Sequence, residues 1–384
     1  VKRRFLKQSL SALKIGGAAV WANALLVGCG RQNDFGLQAA DNNGVRLPAG
    51  FSSRIIANSG QAVINGQDFI WHDAPDGGAC FAIDSGSYRG GWIYVSNSEI
   101  QSTGGASAIV FNAGGEVVDA YAILENTSRN CAGGVTPWGS WLSCEEIDKG
   151  RVWECFPEGR KQAIVRPALG VFNHEAVAVD EVTQYLYLTE DKVDGCLYRF
   201  IADSETENGF PDLSSGLLEV AVQDHESSLR WTAVPDPLAK KRPTRYQVAS
   251  VRTFNGGEGV VYYNGKILFT TKGDNRVWSY DTKHQVVSVL YDVKESLTPI
   301  LTGVDNITVS QQGDIYVAED GGDLQIVVID NQGRLYPIVQ LEGHDESEIT
   351  GVAFSPDGKR LYFSSQRGTT GLSENGVSYE IKGF

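Results

Sequence analysis

Methionine is absent from all 384 residues, and nothing in the physical chemistry of the chain accounts for that. Positive charge is scarce: 33 Lys and Arg stand against 47 Asp and Glu, a formal net charge of −14. A field of that sign repels nucleic acid and anionic membrane surfaces, so polyanionic partners are excluded as a class. Cations are the natural partners, and an anionic substrate needs metal ions or a local basic patch to approach. Beyond the N-terminus no long uninterrupted apolar run occurs, so no spanning helix is expected there. Cysteines are few and, Cys29 aside, odd in number: Cys80, Cys131, Cys144, Cys155 and Cys196. In an oxidising compartment at least one of these stays outside any intramolecular disulfide. What the chain does have is 44 glycines and 10% aromatic residues, the mixture of many short strands joined by tight turns.

The first thirty residues read as an address. A basic stretch, Lys2-Arg3-Arg4-Phe5-Leu6-Lys7, carries a twin-arginine pair, and an apolar run from Ile15 to Val27 follows. It ends in Leu26-Val27-Gly28-Cys29, which resembles a bacterial lipobox with Cys29 as the lipidated residue. The expectation is a twin-arginine, lipoprotein-type signal peptide over 1–29 and a single mature domain over 30–384. That domain would be periplasmic or anchored at the outer membrane, with membrane contact only through its lipid. An uncleaved membrane anchor is the competing reading. Export in the folded state would allow metal to be loaded before export.

A loose repeat sets the architecture. Its unit is an apolar strand, a tight turn, a second apolar strand and an acidic tip. Four copies are clear, beginning at Ala176, Val260, Ile307 and Val352, and weaker copies end in Trp92–Asn97 and Ser140–Glu146. The spacing of roughly 40–55 residues is that of four-stranded propeller blades. The fold class expected is all-β: a six-bladed β-propeller, with an insertion at about 203–243 between the third and fourth blades. The segment before Gly60 is a candidate to close the ring. A two-sheet sandwich is the competing architecture, and six regular units are too many for one.

First strands of propeller blades line the central channel, so residues just before them meet at one mouth. Those positions hold Cys131, Glu175, Glu258, Asp305 and Glu348. Ends of the second strands add Asn97, Glu99, Glu145, Glu146, Glu190, Glu319 and Asp320. So many carboxylates around one axis are costly unless cations neutralise them. Oxygen-rich sets suit Ca2+, and a thiolate among them suggests a transition metal such as iron. His174 alternates to the other strand face and is not counted as a ligand. Each residue alone has a plainer reading: a strand-end Glu is commonly a solvated turn residue, and Cys131 could pair with Cys144 or Cys155. The recurrence at one blade position lifts the set above its parts.

The block from Asn130-Cys131-Ala132-Gly133-Gly134 through Trp138-Gly139-Ser140-Trp141-Leu142-Ser143-Cys144-Glu145-Glu146 resembles a signature of the PhoX-type calcium-dependent alkaline phosphatases. His174-Glu175-Ala176-Val177, Thr189-Glu190-Asp191, Asp305-Asn306, Glu319-Asp320-Gly321 and Thr350-Gly351 are similar to further parts of that family. The resemblance implies a propeller with Fe3+ and Ca2+ on its axis that hydrolyses phosphomonoesters. By motif, Cys131 and Glu175 would bind iron, Glu258 and Asp305 would bridge or bind metals, and Glu145 or Glu146 would bind calcium. Glu348 sits two residues off the Glu175 position, and Asn97, Glu190, Glu319 and Asp320 are weaker candidates. The family pattern has an arginine shortly before the residue matching Glu258, where this chain has Gly256-Gly257. Arg252, Lys272, Arg276 and Arg367 are the substitutes considered for holding substrate phosphate. The expected partner is a small phosphoester, and the expected state a monomer. Two other functions compete: a lactonase-like calcium hydrolase, which has no need of a thiolate, and a non-catalytic metal-stabilised binding propeller.

Overall fold

The computed structural model describes residues 36–225 and 227–384; the expected signal segment and Cys29 lie outside the described residues. The strands form six antiparallel sheets, each beginning at its inner strand. Blade 1 comprises Pro75–Ala82, Trp92–Ser98, Gly104–Phe111 and Val117–Thr127, and blade 2 comprises Asn130–Val135, Trp141–Glu145, Val152–Cys155 and Ile164–Val165. Blade 3 runs from His174–Val179 through Leu186–Glu190, Leu197–Ala202 and Gly216–Gln223 to Leu229–Ala233. Blade 4 holds Gly257–Tyr263, Lys266–Thr271, Arg276–Asp281 and Val286–Asp292. Blade 5 holds Val304–Val309, Ile315–Glu319, Gln325–Ile329 and Leu335–Leu341, with Val45–Arg46 on its outer edge. Blade 6 has Ile349–Phe354, Arg360–Ser365 and Val377–Lys382.

Inner strands pack successively on one another, and the sixth packs on the first, so the sheets close into a six-bladed propeller. Closure is sealed by Ser52–Asn58, which pairs with Val377–Lys382 and supplies the outer strand of blade 6 from the N-terminal side. Local sequence explains the hairpins. Asn264 and Gly265 take φ of 48° and 77° between Tyr263 and Lys266, the left-handed pair that matches the twist of a two-residue hairpin. Consecutive buried residues on inner strands, as in His174–Val179 and Ile349–Phe354, show that both strand faces are covered. Blades 1 and 6 are joined by aromatic packing, with Tyr94 5.1 Å and Phe111 5.2 Å from Tyr362. Burying each such ring contributes about 2 kcal/mol.

The segment 203–243 is less of an insertion than its polar, proline-containing sequence suggests. Its Gly216–Gln223 is the blade's fourth strand, with Leu218, Val220, Ala221 and Val222 buried. The extra material is the fifth strand, Leu229–Ala233, and the connection through Thr244–Tyr246 to blade 4.

One irregularity recurs in all six blades. The pairing of first and second strands shifts register between Pro75 and Gly78, Asn130 and Gly133, His174 and Val177, Gly257 and Val260, Val304 and Ile307, and Thr350 and Ala353. A bulge of this kind sets two residues against one and re-aims a side chain. Here it falls at the same end of every inner strand.

Candidate metal centre at the channel mouth

The first residue inside each bulge is Asp76, Cys131, Glu175, Glu258, Asp305 and, in blade 6, Gly351. Five ligating side chains thus recur at one position, and the sixth place is held open. Gly351 has φ +66°, and a Cβ there would lie 2.7 Å from the Asp76 carbonyl and 2.8 Å from the Tyr94 hydroxyl. Glu348, three residues upstream, reaches the ring from outside the bulge.

A second tier follows each second strand. Glu99, Glu146, Lys272 and Asp320 hold the matching position in blades 1, 2, 4 and 5, each with its backbone N–H bonded to the residue two before the ring side chain. Together the tiers form four groups whose ligating atoms lie within 4.8 Å of one another: Asp76, Glu99, Cys131; Cys131, Glu146, Glu175; Glu175, Glu258, Asp305; and Asp305, Asp320, Glu348. Successive groups share Cys131, Glu175 and Asp305, so they make a continuous arc of eight carboxylates and one thiol.

The electrostatics of that arc are unfavourable without cations. Burial, reinforced by neighbouring carboxylates, pushes Asp76, Glu175, Glu258 and Glu348 well above the ordinary carboxylate range. Burial also raises the Cys131 thiol, with Asp76 and Glu175 adding to the effect. Glu146 is pushed up to about 7 by burial and then by Glu99. Asp305 is raised to about 6 by burial, against the pull of Lys272. Hydrogen bonds relieve part of the load. Gln366 Nε2 donates to Asp76 at 2.5 Å and Glu99 at 2.9 Å, and Cys131 Sγ donates to Glu175 at 3.2 Å. Asn306 Nδ2 donates to Asp305 at 2.7 Å. Glu258 Oε1 remains buried without a hydrogen bond; the nearest positive charge is Lys272 Nζ at 3.1 Å, out of hydrogen-bond alignment. A buried carboxylate oxygen met only by an ammonium, an oxygen-rich donor set and one thiol fit cations, with sulfur favouring a transition metal at the Cys131 end.

Cys131, Glu146, Glu175, Glu258, Asp305, Glu348 and Asp320 are therefore brought together. Asn97, Glu145, Glu190 and Glu319 are not, because their polar atoms are engaged elsewhere. Asn97 Nδ2 donates to the carbonyls of Cys131 and Ala132, while its Oδ1 accepts from Trp141 Nε1 and Ser143 Oγ. Glu145 accepts from the N–H groups of Ser128 and Arg151. Glu190 accepts from Cys196 N–H, Tyr198 hydroxyl and Arg245, and Glu319 from the N–H groups of Thr302 and Gln325. These three glutamates fasten loops one step from the tier that faces the axis. His174, its Nε2 3.1 Å from Gly170 O, also lies outside the four groups. All five described cysteines are free thiols.

Of the basic residues, Lys272 is inside the cluster. Arg367 donates to Glu348 at 2.7 Å. Arg252 lies on Phe254 and Trp278 and bonds Gln223, and Arg276 is held by Asp274 and Asp292, so neither joins the arc. Two residues escaped the sequence reading. Asp76 hides in Pro75-Asp76-Gly77-Gly78, which looks like a turn. Arg129 forks onto Glu99 at 2.6 and 2.9 Å and reaches Glu146 at 3.1 Å; its place two residues before a ring position was the available signal.

Fold and site together define a β-propeller with an acidic centre able to hold cations at one mouth of its channel. The family model for alkaline phosphatase PhoX matches residues 94–162, 149–261 and 260–368, and the chain belongs to that family. Among solved structures it is similar to Pseudomonas fluorescens PhoX in complex with vanadate, a transition state analogue. That match has a TM-score of 0.72 and 16% identity, covering 90% of this chain and 97% of that one. A structural genomics protein of unknown function from Bacteroides thetaiotaomicron matches with a TM-score of 0.52 and 10% identity over 86% of this chain and 76% of that one. No curated protein matches by sequence. Among the described residues no helix is long and apolar enough to cross a membrane.

Proposed function

We propose that this chain is an exported, metal-dependent phosphatase that hydrolyses small phosphomonoesters at the channel mouth. The observation that carries the reading is the unbroken arc of four ligand groups, joined to membership of a phosphatase family. In this reading Cys131 and Glu175 hold iron, and the carboxylates on either side hold calcium. Bound cations would neutralise the phosphoryl oxygens and polarise the ester. Everything else falls to the chain. The ring side chains fix where the cations sit, and the bulges keep them aimed at one point. That Pseudomonas fluorescens PhoX forms a complex with vanadate, a transition state analogue, supports a phosphoryl substrate.

A phosphate also needs a donor that the protein supplies, and Arg129 fits that role better than the four basic residues first considered. Its carbonyl accepts from Glu146 N–H as the Gly256 carbonyl accepts from Lys272 N–H. Arg129 and Gly256 also share left-handed backbone, with φ of 48° and 67°. Arg129 thus holds in blade 2 the backbone position that Gly256 holds in blade 4. A non-glycine residue there costs about 1 kcal/mol, and outliers of this kind cluster at functional sites. Its side chain is 44% exposed, and a planar fork suits phosphate oxygens. The test is calcium-supplemented hydrolysis of p-nitrophenyl phosphate. Arg129→Ala should raise KM about tenfold or more, the loss of one charge-assisted contact, while Arg252→Ala should leave it unchanged. Equal effects of the two substitutions would refute the assignment of Arg129, and no turnover by the metal-loaded wild type would refute the phosphatase reading.

A further inference from the structure

Lys272 stands at a second-tier position that blades 1, 2 and 5 fill with Glu99, Glu146 and Asp320. It follows the buried strand end Thr270-Thr271, and its amine turns into the arc while 34% of the side chain stays exposed. Nζ lies 3.1 Å from Glu258 Oε1, 3.1 Å from Asp320 Oδ2 and 4.0 Å from Asp305 Oδ2. Those three carboxylates belong to the two groups that share Asp305. The ammonium therefore sits among the oxygens that a divalent cation would use on the blade 4–5 side. Among the described residues no basic side chain stands in this way between Cys131 and Glu175, where the thiol donates directly to the carboxylate.

We propose that Lys272 is a resident counter-cation that competes with a divalent ion for the Glu258, Asp305 and Asp320 oxygens. The proposal rests on the metal reading of the site. Glu258 Oε1, buried and without a hydrogen bond, is the atom that the lysine neutralises without saturating. An ammonium offers only hydrogen-bond donors and one charge, whereas Ca2+ takes six to eight oxygens at close range. Ion binding on this side must therefore displace the lysine toward the mouth. Arg367 instead bonds Glu348 and Gln366.

The consequence is opposite in sign to that of removing a ligand. Chelator-stripped protein is titrated with CaCl2 by calorimetry, with bound ion counted by equilibrium dialysis. Lys272→Met and Lys272→Gln should each bind one further Ca2+, or bind it at least about tenfold more tightly, about 1.4 kcal/mol. Lys272→Arg should behave as wild type, and Glu175→Gln should lose ion. A wild-type readout guards against misfolded variants: saturating Ca2+ should raise acylation of Lys272 several-fold, followed by peptide mass spectrometry, with Lys266 unchanged as the control. Unchanged or weaker binding in both neutral variants, or calcium-protected Lys272, overturns the proposal while leaving the metal reading intact. Absence of Ca2+ binding in every protein, wild type included, overturns both.

Discussion

Glu146→Gln should stabilise the metal-free protein at alkaline pH and have almost no effect at acidic pH. Glu146 is 15% exposed, bonded by Asn173 at 3.1 Å and paired with Arg129 at 3.1 Å. Burial and Glu99 nevertheless raise it from the ordinary 4.5 to about 7. A carboxyl whose folded value lies above its unfolded one binds more protons when folded, so its contribution to stability falls as pH rises from 4.5 to about 7. Fully ionised, it costs about 3 kcal/mol. Glutamine mimics the protonated form and retains an acceptor for Asn173, and the pull of the Arg129 charge is already contained in the net rise to about 7. The gain expected at pH 8.5 is therefore about 3 kcal/mol, shrinking toward zero at pH 4.5. Urea unfolding of chelator-treated protein at both pH values measures it. A destabilised variant at pH 8.5, or a difference that does not grow with pH, would refute the reasoning. Calcium should reverse the order, because wild type then gains a ligand that the variant lacks.

Two further predictions concern the scaffold. Asn97→Ala removes four hydrogen bonds from buried partners. It should cost about 3–5 kcal/mol, seen as a lower midpoint in denaturant, and should loosen the Cys131 bulge so that metal affinity falls as well. Gly351→Ala sets a Cβ against the Asp76 carbonyl and Tyr94 hydroxyl with φ +66°. Strain and overpacking together should cost about 3 kcal/mol, and a thermal midpoint equal to wild type would contradict the geometry.

Much of this architecture is readable from the chain because the blades repeat a strong local pattern. Cys131, Glu175, Glu258 and Asp305 each stand just before an alternating apolar strand, and the bulge does the same work at each. Asp76 was hidden because its strand, Pro-Asp-Gly-Gly-Ala-Cys-Phe-Ala, carries a weak apolar signal and opens like a turn. Glu145 and Glu146 cannot be told apart by composition. Strand alternation sends the first into a loop and the second to the mouth, as it does for Glu319 and Asp320. Glu348 looks displaced because Gly351 holds its blade's ring position, three residues downstream rather than the two expected. The strand Gly216–Gln223 was obscured by polar and proline-containing flanks, although its Leu-Leu-Glu-Val-Ala-Val core is a strand pattern. Arg129 stands two residues before Cys131 in the sequence, and the bonds from Glu146 and Lys272 set it level with Gly256.

The central claim is that the arc of carboxylates and Cys131 holds cations that the chemistry requires. Metal content of the purified protein, measured alongside p-nitrophenyl phosphate hydrolysis with and without added calcium, tests it most directly. The account predicts iron and calcium in the wild type, calcium-stimulated turnover, and joint loss of iron and activity in Cys131→Ala. A metal-free wild type whose turnover ignores calcium and chelator would contradict it.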